Sequence, residues 1–456
     1  MAELQQRKEN KMGVMPVPKL LITMSLPMML SMLVQAFYNV VDSIFVARIS
    51  EDALTAVSLA FPIQNLMIAV ASGTGVGINA FLSKSLGEKK YEEANKAAMN
   101  GLFLALLSSI LFALFGLFGA RTYFSMQTDN MDIISHGTQY MSVITIVSIG
   151  IFGAVTLERL LQATGNTFYT MITQGIGAII NIVFDPILIF GLLGFPKMGV
   201  AGAAVATVMG QIVAMILAYW FNMKRNPEIT IKWRGFRPSG RIIKIIYKVG
   251  IPSIIMMAIG SVMTYGYNKI LLMFSSTAVS VFGIYFKLNS FVFMPVFGLN
   301  NGMIPILAYN YGARNKKRII DTIKLSVIIA CVIMFLGFVL FQVAPEPLLQ
   351  MFNASEHMME IGVPALRIIS ICFIFAGYSI ILSAVFQAFG NGMFSLIISV
   401  VRQIVVILPS AYILAICFGL NQVWWSFPLA EIASVVLSTM FLRHLYLQKI
   451  KNIEED

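Results

Sequence analysis

Charge is the scarce quantity in this sequence. Asp, Glu, Lys and Arg make up 12% of 456 residues, about half the ~25% usual in a soluble domain. That shortage excludes a soluble multidomain enzyme and a disordered chain. Cysteine is scarce too. Cys331, Cys372 and Cys417 lie in apolar runs, too scattered for a disulfide framework or a CxxC metal site, and read as small buried hydrophobes. The three histidines (His136, His357 and His444) are far apart. There is no HExxH, GxSxG, P-loop or other cofactor fingerprint. The chain is expected not to be an enzyme and to use no cofactor.

Hydrophobic residues, by contrast, reach 58%. A helix needs about 20 apolar residues to cross the hydrocarbon core. Twelve stretches qualify: 17–49, 53–82, 95–119, 137–163, 167–193, 199–222, 248–275, 277–310, 318–343, 361–389, 393–419 and 423–446. The polar, basic first 16 residues and the length of the first apolar run do not read as a cleavable signal. The sequence divides into an N-terminal segment (1–16), a first lobe (17–222), an inter-lobe loop (223–247), a second lobe (248–446) and a tail (447–456).

The net charge of +11 is a topology signal. The N-terminal segment, the loops after spans 2, 6 and 8, and the tail, counted with the adjoining span ends, hold 24 of the 32 Lys and Arg, whereas the opposite loops hold Arg48, Arg121 and Lys197. By the positive-inside rule both termini are expected in the cytoplasm of a cell-membrane protein. The basic loops can also touch anionic lipid heads, and no nucleic-acid partner is expected.

The chain repeats itself at an offset of 225. Pro27 meets Pro252, Phe61 meets Phe286, Gly73 and Gly77 meet Gly298 and Gly302, and Gly87 meets Gly312. Gln162-Ala163-x-Gly165-Asn166 meets Gln387-Ala388-x-Gly390-Asn391, and Gly194 meets Gly419. Six spans per half give both halves one orientation, so the pseudo-twofold axis runs along the membrane normal. That is the parallel-repeat plan of secondary transporters, with a substrate path between the halves. The GxxxG pairs read as close helix contacts, and each Gly-Asn as a helix C-cap and tight turn.

Charge inside a span is a functional-site hypothesis by default. Four of the 21 acids lie there: Asp42, Glu158, Asp185 and Glu431. At 1.5 Å per residue, Asp42, Asp185 and Thr207 each fall about 10–12 Å below the outer ends of spans 1, 5 and 6. Asn181 precedes Asp185 by four residues and shares its helix face. Two carboxylates, an amide and a hydroxyl are therefore expected in one pocket. Two acids so placed cannot both hold charge cheaply, and an incoming H⁺ or Na⁺ would neutralise them. At the same offset the second half has Tyr267, Ser410 and Ile432, so this site is not repeated. Lys269 and Glu431 lie at one depth there and are expected either to pair or to line the substrate path. Glu158 is a candidate for attracting a cationic substrate, Arg159 for snorkelling to the surface. Pro27, fifteen residues before Asp42, is the candidate hinge; Met-rich and Phe-rich composition is compatible with greasy cationic substrates.

With LPMMLSMLVQAFYNVVDSIFVARI in span 1, LQATGN after span 4, NIVFDPILIFG in span 5, GVAGAAVAT in span 6 and FQAFGN after span 10, nearly the whole chain resembles the multidrug and toxic compound extrusion (MATE) family. Within that family it is similar to the DinF-like and MepA-like bacterial branch. The resemblance implies an all-α membrane protein, with twelve helices in two pseudo-symmetric six-helix lobes forming a V. It implies alternating access and export of amphiphilic, mostly cationic compounds against inward H⁺ or Na⁺. It places a first-lobe cation site at Asp42, Asn181, Asp185 and Thr207, and a bending proline at Pro27. A monomer among lipids is expected. The second-lobe acid that some branches carry in span 10 has no counterpart in SICFIFAGYSIILSAVFQAFGN. The rival readings are a flippase for lipid-linked precursors, a major-facilitator transporter, an intramembrane enzyme and a channel. The loop SLGEKKYEEANKA after span 2 lacks the basic motif of major facilitators.

Overall fold

The computed structural model describes residues 9–453, apart from the side chains of Ser43 and Ala47. Residues 1–8 of the N-terminal segment and 454–456 of the tail lie outside the described residues. Among the described residues, ten helices are long and apolar enough to cross a membrane singly. Two bent pairs bring the number to twelve, as the hydropathy pattern predicts.

The single spans are Val17–Ala47 (span 1), Glu51–Gly87 (span 2), Tyr91–Phe118 (span 3), Thr167–Phe190 (span 5) and Val200–Arg225 (span 6). In the second lobe they are Gly240–Leu272 (span 7), Ser276–Gly312 (span 8), Lys316–Val343 (span 9), Gly392–Phe418 (span 11) and Leu420–Ile450 (span 12). Span 4 joins Met131–Ile146 to Ile149–Ala163 at 43°, and span 10 joins Glu356–Ser370 to Phe373–Ala388 at 51°. The two bends fall at equivalent places in the repeat. Span 11 has a π-helical stretch, Val401–Ile407, with no counterpart in span 5.

The repeated Gly-Asn turns have one geometry. Gly165 sits at φ +91° and Gly390 at φ +76°, a left-handed backbone that glycine adopts without strain. The amide of Asn166 donates to Leu161 O at 2.7 Å, and that of Asn391 to Phe386 O at 2.8 Å. This closes each preceding helix as a Schellman cap. Spans 2 and 8 end on Lys89 and Arg314 at φ +57° and +55°, again 225 residues apart.

The paired glycines pack between the lobes. A Cβ on Gly77 would collide with the Ile246 carbonyl oxygen, and one on Gly73 would reach the Ile254 amide at 2.8 Å, both in span 7. Across the pseudo-twofold axis, a Cβ on Gly302 or Gly298 would press into the backbone of span 1 at Ser25 and Met29. Gly87 and Gly312 lie against the carbonyls of Tyr309 and Lys84. These contacts form a seam in the half of the molecule that carries the Lys- and Arg-rich loops, here called the basic face. The chain preceding span 1 ties this face. Asn10 donates to Thr164 O at 3.0 Å and to Glu228 Oε1 at 2.9 Å. From the second lobe, Arg318 donates to Met12 O at 2.8 Å and Met15 O at 2.7 Å. Large apolar side chains such as Leu111, Phe118, Ile179, Val262, Leu336 and Ile416 are exposed on the outer surface of the bundle, as lipid contact requires.

Candidate functional site

A cavity of about 190 Å³ runs through the first lobe. Its walls come from spans 1, 2, 4, 5 and 6, with Asn301 of span 8 reaching in from the second lobe. Span 1 supplies Ser31, Gln35 and Tyr38, which with Asp42 stand at helical intervals of four, three and four. They form a polar stripe on one face of an otherwise apolar helix.

At the end away from the basic face, the two acids meet. The carboxyls of Asp42 and Asp185 lie within hydrogen-bonding reach of each other. Asp185 is fully buried. With its amide oriented to suit its neighbours, Asn181 donates to Asp185 Oδ2 at 3.2 Å. Its oxygen then accepts from Thr207 Oγ1 at 3.1 Å and from the Thr207 amide at 3.2 Å. Ala203 O, 3.0 Å from Thr207 Oγ1, is the alternative acceptor for the one proton of that hydroxyl. The helices themselves create these neighbours: Gly177 and Gly210 let spans 5 and 6 approach backbone to backbone, which brings Asn181 to Thr207. Tyr38 and Tyr140 face the same acids, and Tyr140 reaches Gln64 Oε1 at 3.4 Å. Oδ1 of Asp42 and Oδ1 of Asp185 are buried without a hydrogen-bond partner. Two unsatisfied carboxyl oxygens in one nest suit a proton or a hard monovalent cation.

At the opposite end lie Glu158 and Arg159. Glu158 is buried, accepting from Thr173 Oγ1 and from Gln174 Nε2, each at 2.8 Å. Arg159 does not snorkel. Its guanidinium donates to Gln162 Oε1 at 2.8 Å and across the lobe seam to Asn301 Oδ1 at 2.9 Å. Acceptors inside the protein hold it more firmly than the distant surface.

Lys269 and Glu431 do not pair. Glu431 accepts from Arg402 at 3.0 Å, and Lys269 lies over the Tyr265 ring, 5.6 Å from its centre. Equal depth placed them on one level but not on facing sides. Removing one member of a buried pair strands the other and costs about 3–5 kcal/mol, whereas an apolar replacement of both is often neutral. Arg402→Met is therefore expected to lower the unfolding temperature in detergent, and Arg402→Met with Glu431→Leu to restore it. Restored transport in the double variant marks the pair as structural; transport still absent places it on the substrate path.

In the second lobe aromatic side chains fill the place equivalent to the nest. Tyr267, the counterpart of Asp42, is fully buried, with its hydroxyl 3.1 Å from Val423 O and 3.2 Å from Ser426 Oγ. Its ring lies 4.6 Å from that of Phe282 and 5.2 Å from that of Phe427. Gln35, Tyr38 and Asn181 are replaced at the repeat offset by Gly260, Met263 and Val406, so these polar positions are not repeated in the second lobe. Pro27 lies inside the continuous helix of span 1, where it cannot donate to Thr23 O. Apart from Gln162 of the repeated QAxGN motif, the glutamines of the cavity wall and Asn301 were not among the residues singled out from the sequence. The four-three-four polar spacing in span 1 was the available signal.

Comparison with known proteins agrees with this architecture. The chain is 26% identical over 425 residues to the multidrug export protein MepA of Staphylococcus haemolyticus, covering 93% of this chain and 92% of that protein. It is 24% identical over 431 residues to MepA of Staphylococcus aureus, covering 94% of each. A solved outward-facing structure of a multidrug resistance MATE family transporter superposes with a TM-score of 0.92 at 25% identity, covering 98% of this chain and 99% of that one. The MatE family model matches twice, over residues 27–187 and 252–413, with starts separated by the same offset of 225 that relates the two halves. The chain therefore belongs to the MatE family of membrane transporters.

Proposed function

We propose that the protein is a secondary active multidrug exporter that moves amphiphilic, mostly cationic compounds out of the cell in exchange for H⁺ or Na⁺. The observation that carries this reading is the facing pair Asp42 and Asp185, set behind Tyr38, Asn181 and Thr207 at one end of a cavity whose other end holds Glu158. An ionised Asp at membrane depth costs about 2.5–3.5 kcal/mol. A small cation entering the nest removes that cost and changes what the lobe prefers to face. Outward movement of a cationic guest and inward movement of the coupling ion then alternate through one chamber. Pro27, in the same helix as Asp42, is the point where span 1 can bend as the nest fills. The basic face lies in the cytoplasm of the cell membrane, a single copy suffices, and no resident cofactor takes part.

A flippase for lipid-linked anions would need a strongly cationic chamber. This cavity is lined by one arginine balanced by one glutamate, so it lacks that cationic character. Glu158→Gln is expected to weaken export of cationic dyes more than that of neutral ones. Everted vesicles with an imposed ion gradient measure this, and equal losses for both classes would remove Glu158 from substrate recognition.

A further inference from the structure

Arg159 is the one feature of the cavity that cation export leaves unexplained. A guanidinium facing a cavity for cations repels its cargo, and a first lobe that needed only structural glue there has uncharged alternatives. Yet several features hold it in place. Gly75 leaves the passage it occupies, since a Cβ there would come within 2.7 Å of Arg159 Cγ and 3.2 Å of Nε. Gln162 and Asn301 fix its end from both lobes, and both bonds use one terminal nitrogen. The guanidinium has five N–H donors. Among the described residues no carboxylate lies within ion-pairing distance of it. Glu158, its chain neighbour, attracts it through space but makes no direct ion pair with it and takes its hydrogen bonds from two neutral donors. Each of its oxygens retains a lone pair. The cavity floor therefore presents an unpaired negative group and an unpaired positive group side by side, each oriented by neutral partners.

We infer that this floor recognises zwitterionic amphiphiles, with Glu158 receiving the positive centre of the guest and Arg159 its carboxylate or an equivalent anionic acceptor. The inference rests on the export reading for its physiological direction, and on the geometry alone for the binding preference. Planar guanidinium and planar carboxylate match in a two-point contact that a lysine cannot reproduce. A guest with both charges neutralises the floor completely, whereas a simple cation leaves Arg159 unpaired.

The test uses the full-length purified protein and a matched pair of probes: a cationic xanthene dye bearing a free carboxylate, and its methyl ester. Fluorescence polarisation reads binding without any gradient. The wild-type chain is expected to bind the free acid more tightly. Arg159→Gln is expected to weaken the free acid about tenfold, the scale of one charge-assisted contact, and the ester less than about twofold. Glu158→Gln is expected to weaken both dyes alike. Arg159→Lys keeps the charge but not the fork and is expected to fall between wild type and Arg159→Gln for the free acid; it decides the matter if Arg159→Gln does not fold. Equal loss for both dyes in Arg159→Gln and Arg159→Lys would overturn the inference, as would an unchanged preference in both. Selective binding without transport in reconstituted vesicles supports the inference while counting against the export reading.

Discussion

Asp42→Asn and Asp185→Asn are each expected to abolish gradient-driven efflux while leaving the protein folded. The two carboxyls face each other in a nest where Oδ1 of each has no partner. An amide is close to a carboxylate in size, so packing is preserved, and removing one of two like charges relieves repulsion. The unfolding temperature in detergent is expected to stay level or rise. What the amide cannot do is exchange a proton or offer a charged ligand to Na⁺. Efflux of a fluorescent cation from proteoliposomes should fall to the level of protein-free vesicles, with dye binding retained. Thr207→Val is expected to give a smaller loss, because it removes the hydroxyl that orients Asn181 and spares both acids. Unimpaired efflux in Asp42→Asn would remove the nest from coupling.

The second large effect is expected at the seam. Alanine is the better helix former by about 1 kcal/mol, so Gly→Ala in an open stretch of helix should be neutral or stabilising. Gly283 has nothing near the place of a Cβ, and Gly283→Ala is expected to transport normally. At Gly77 the added methyl would meet the backbone of Ile246, and at Gly302 that of Ser25. Backbone cannot rotate aside as a side chain can. Gly77→Ala and Gly302→Ala are expected to hold the lobes apart at the basic face and to lose transport, although each change favours the isolated helix. The measurement is efflux set beside unfolding temperature for the three variants. Normal efflux in Gly77→Ala would show that the seam does not have to close during the cycle.

Much of this architecture is legible in the sequence because the membrane simplifies the problem. Length and hydropathy fix the number of spans, and a constant offset fixes their symmetry. Rise per residue gives depth, and depth together with the four-residue spacing of Asn181 and Asp185 was enough to gather the nest. Depth says nothing of which way a side chain points around its helix. That is why Lys269 and Glu431, level with each other, take different partners, and why depth did not match Arg402, an intramembrane base, to Glu431. The angular count is least dependable in span 11, where Val401–Ile407 is π-helical and the 3.6-residue period does not hold. Arg159 illustrates the same limit. Its place near a span end is compatible with snorkelling, and only the path cleared by Gly75 and the acceptor on Asn301 turn it inward. The aromatic filling of the second lobe was visible in sequence as a lack of acids, while the packing that replaces the cavity needs all of Tyr267, Phe282 and Phe427 in one place.

Reconstituted transport with pH and sodium gradients imposed separately tests the coupling claim most directly. Wild-type vesicles are expected to drive the dye against its own gradient when one of the two ions flows the opposite way, and Asp42→Asn vesicles to show no response to either. Dye movement in the wild type that ignores both gradients, or a gradient response that survives Asp42→Asn, would contradict the assignment of the nest as the coupling site.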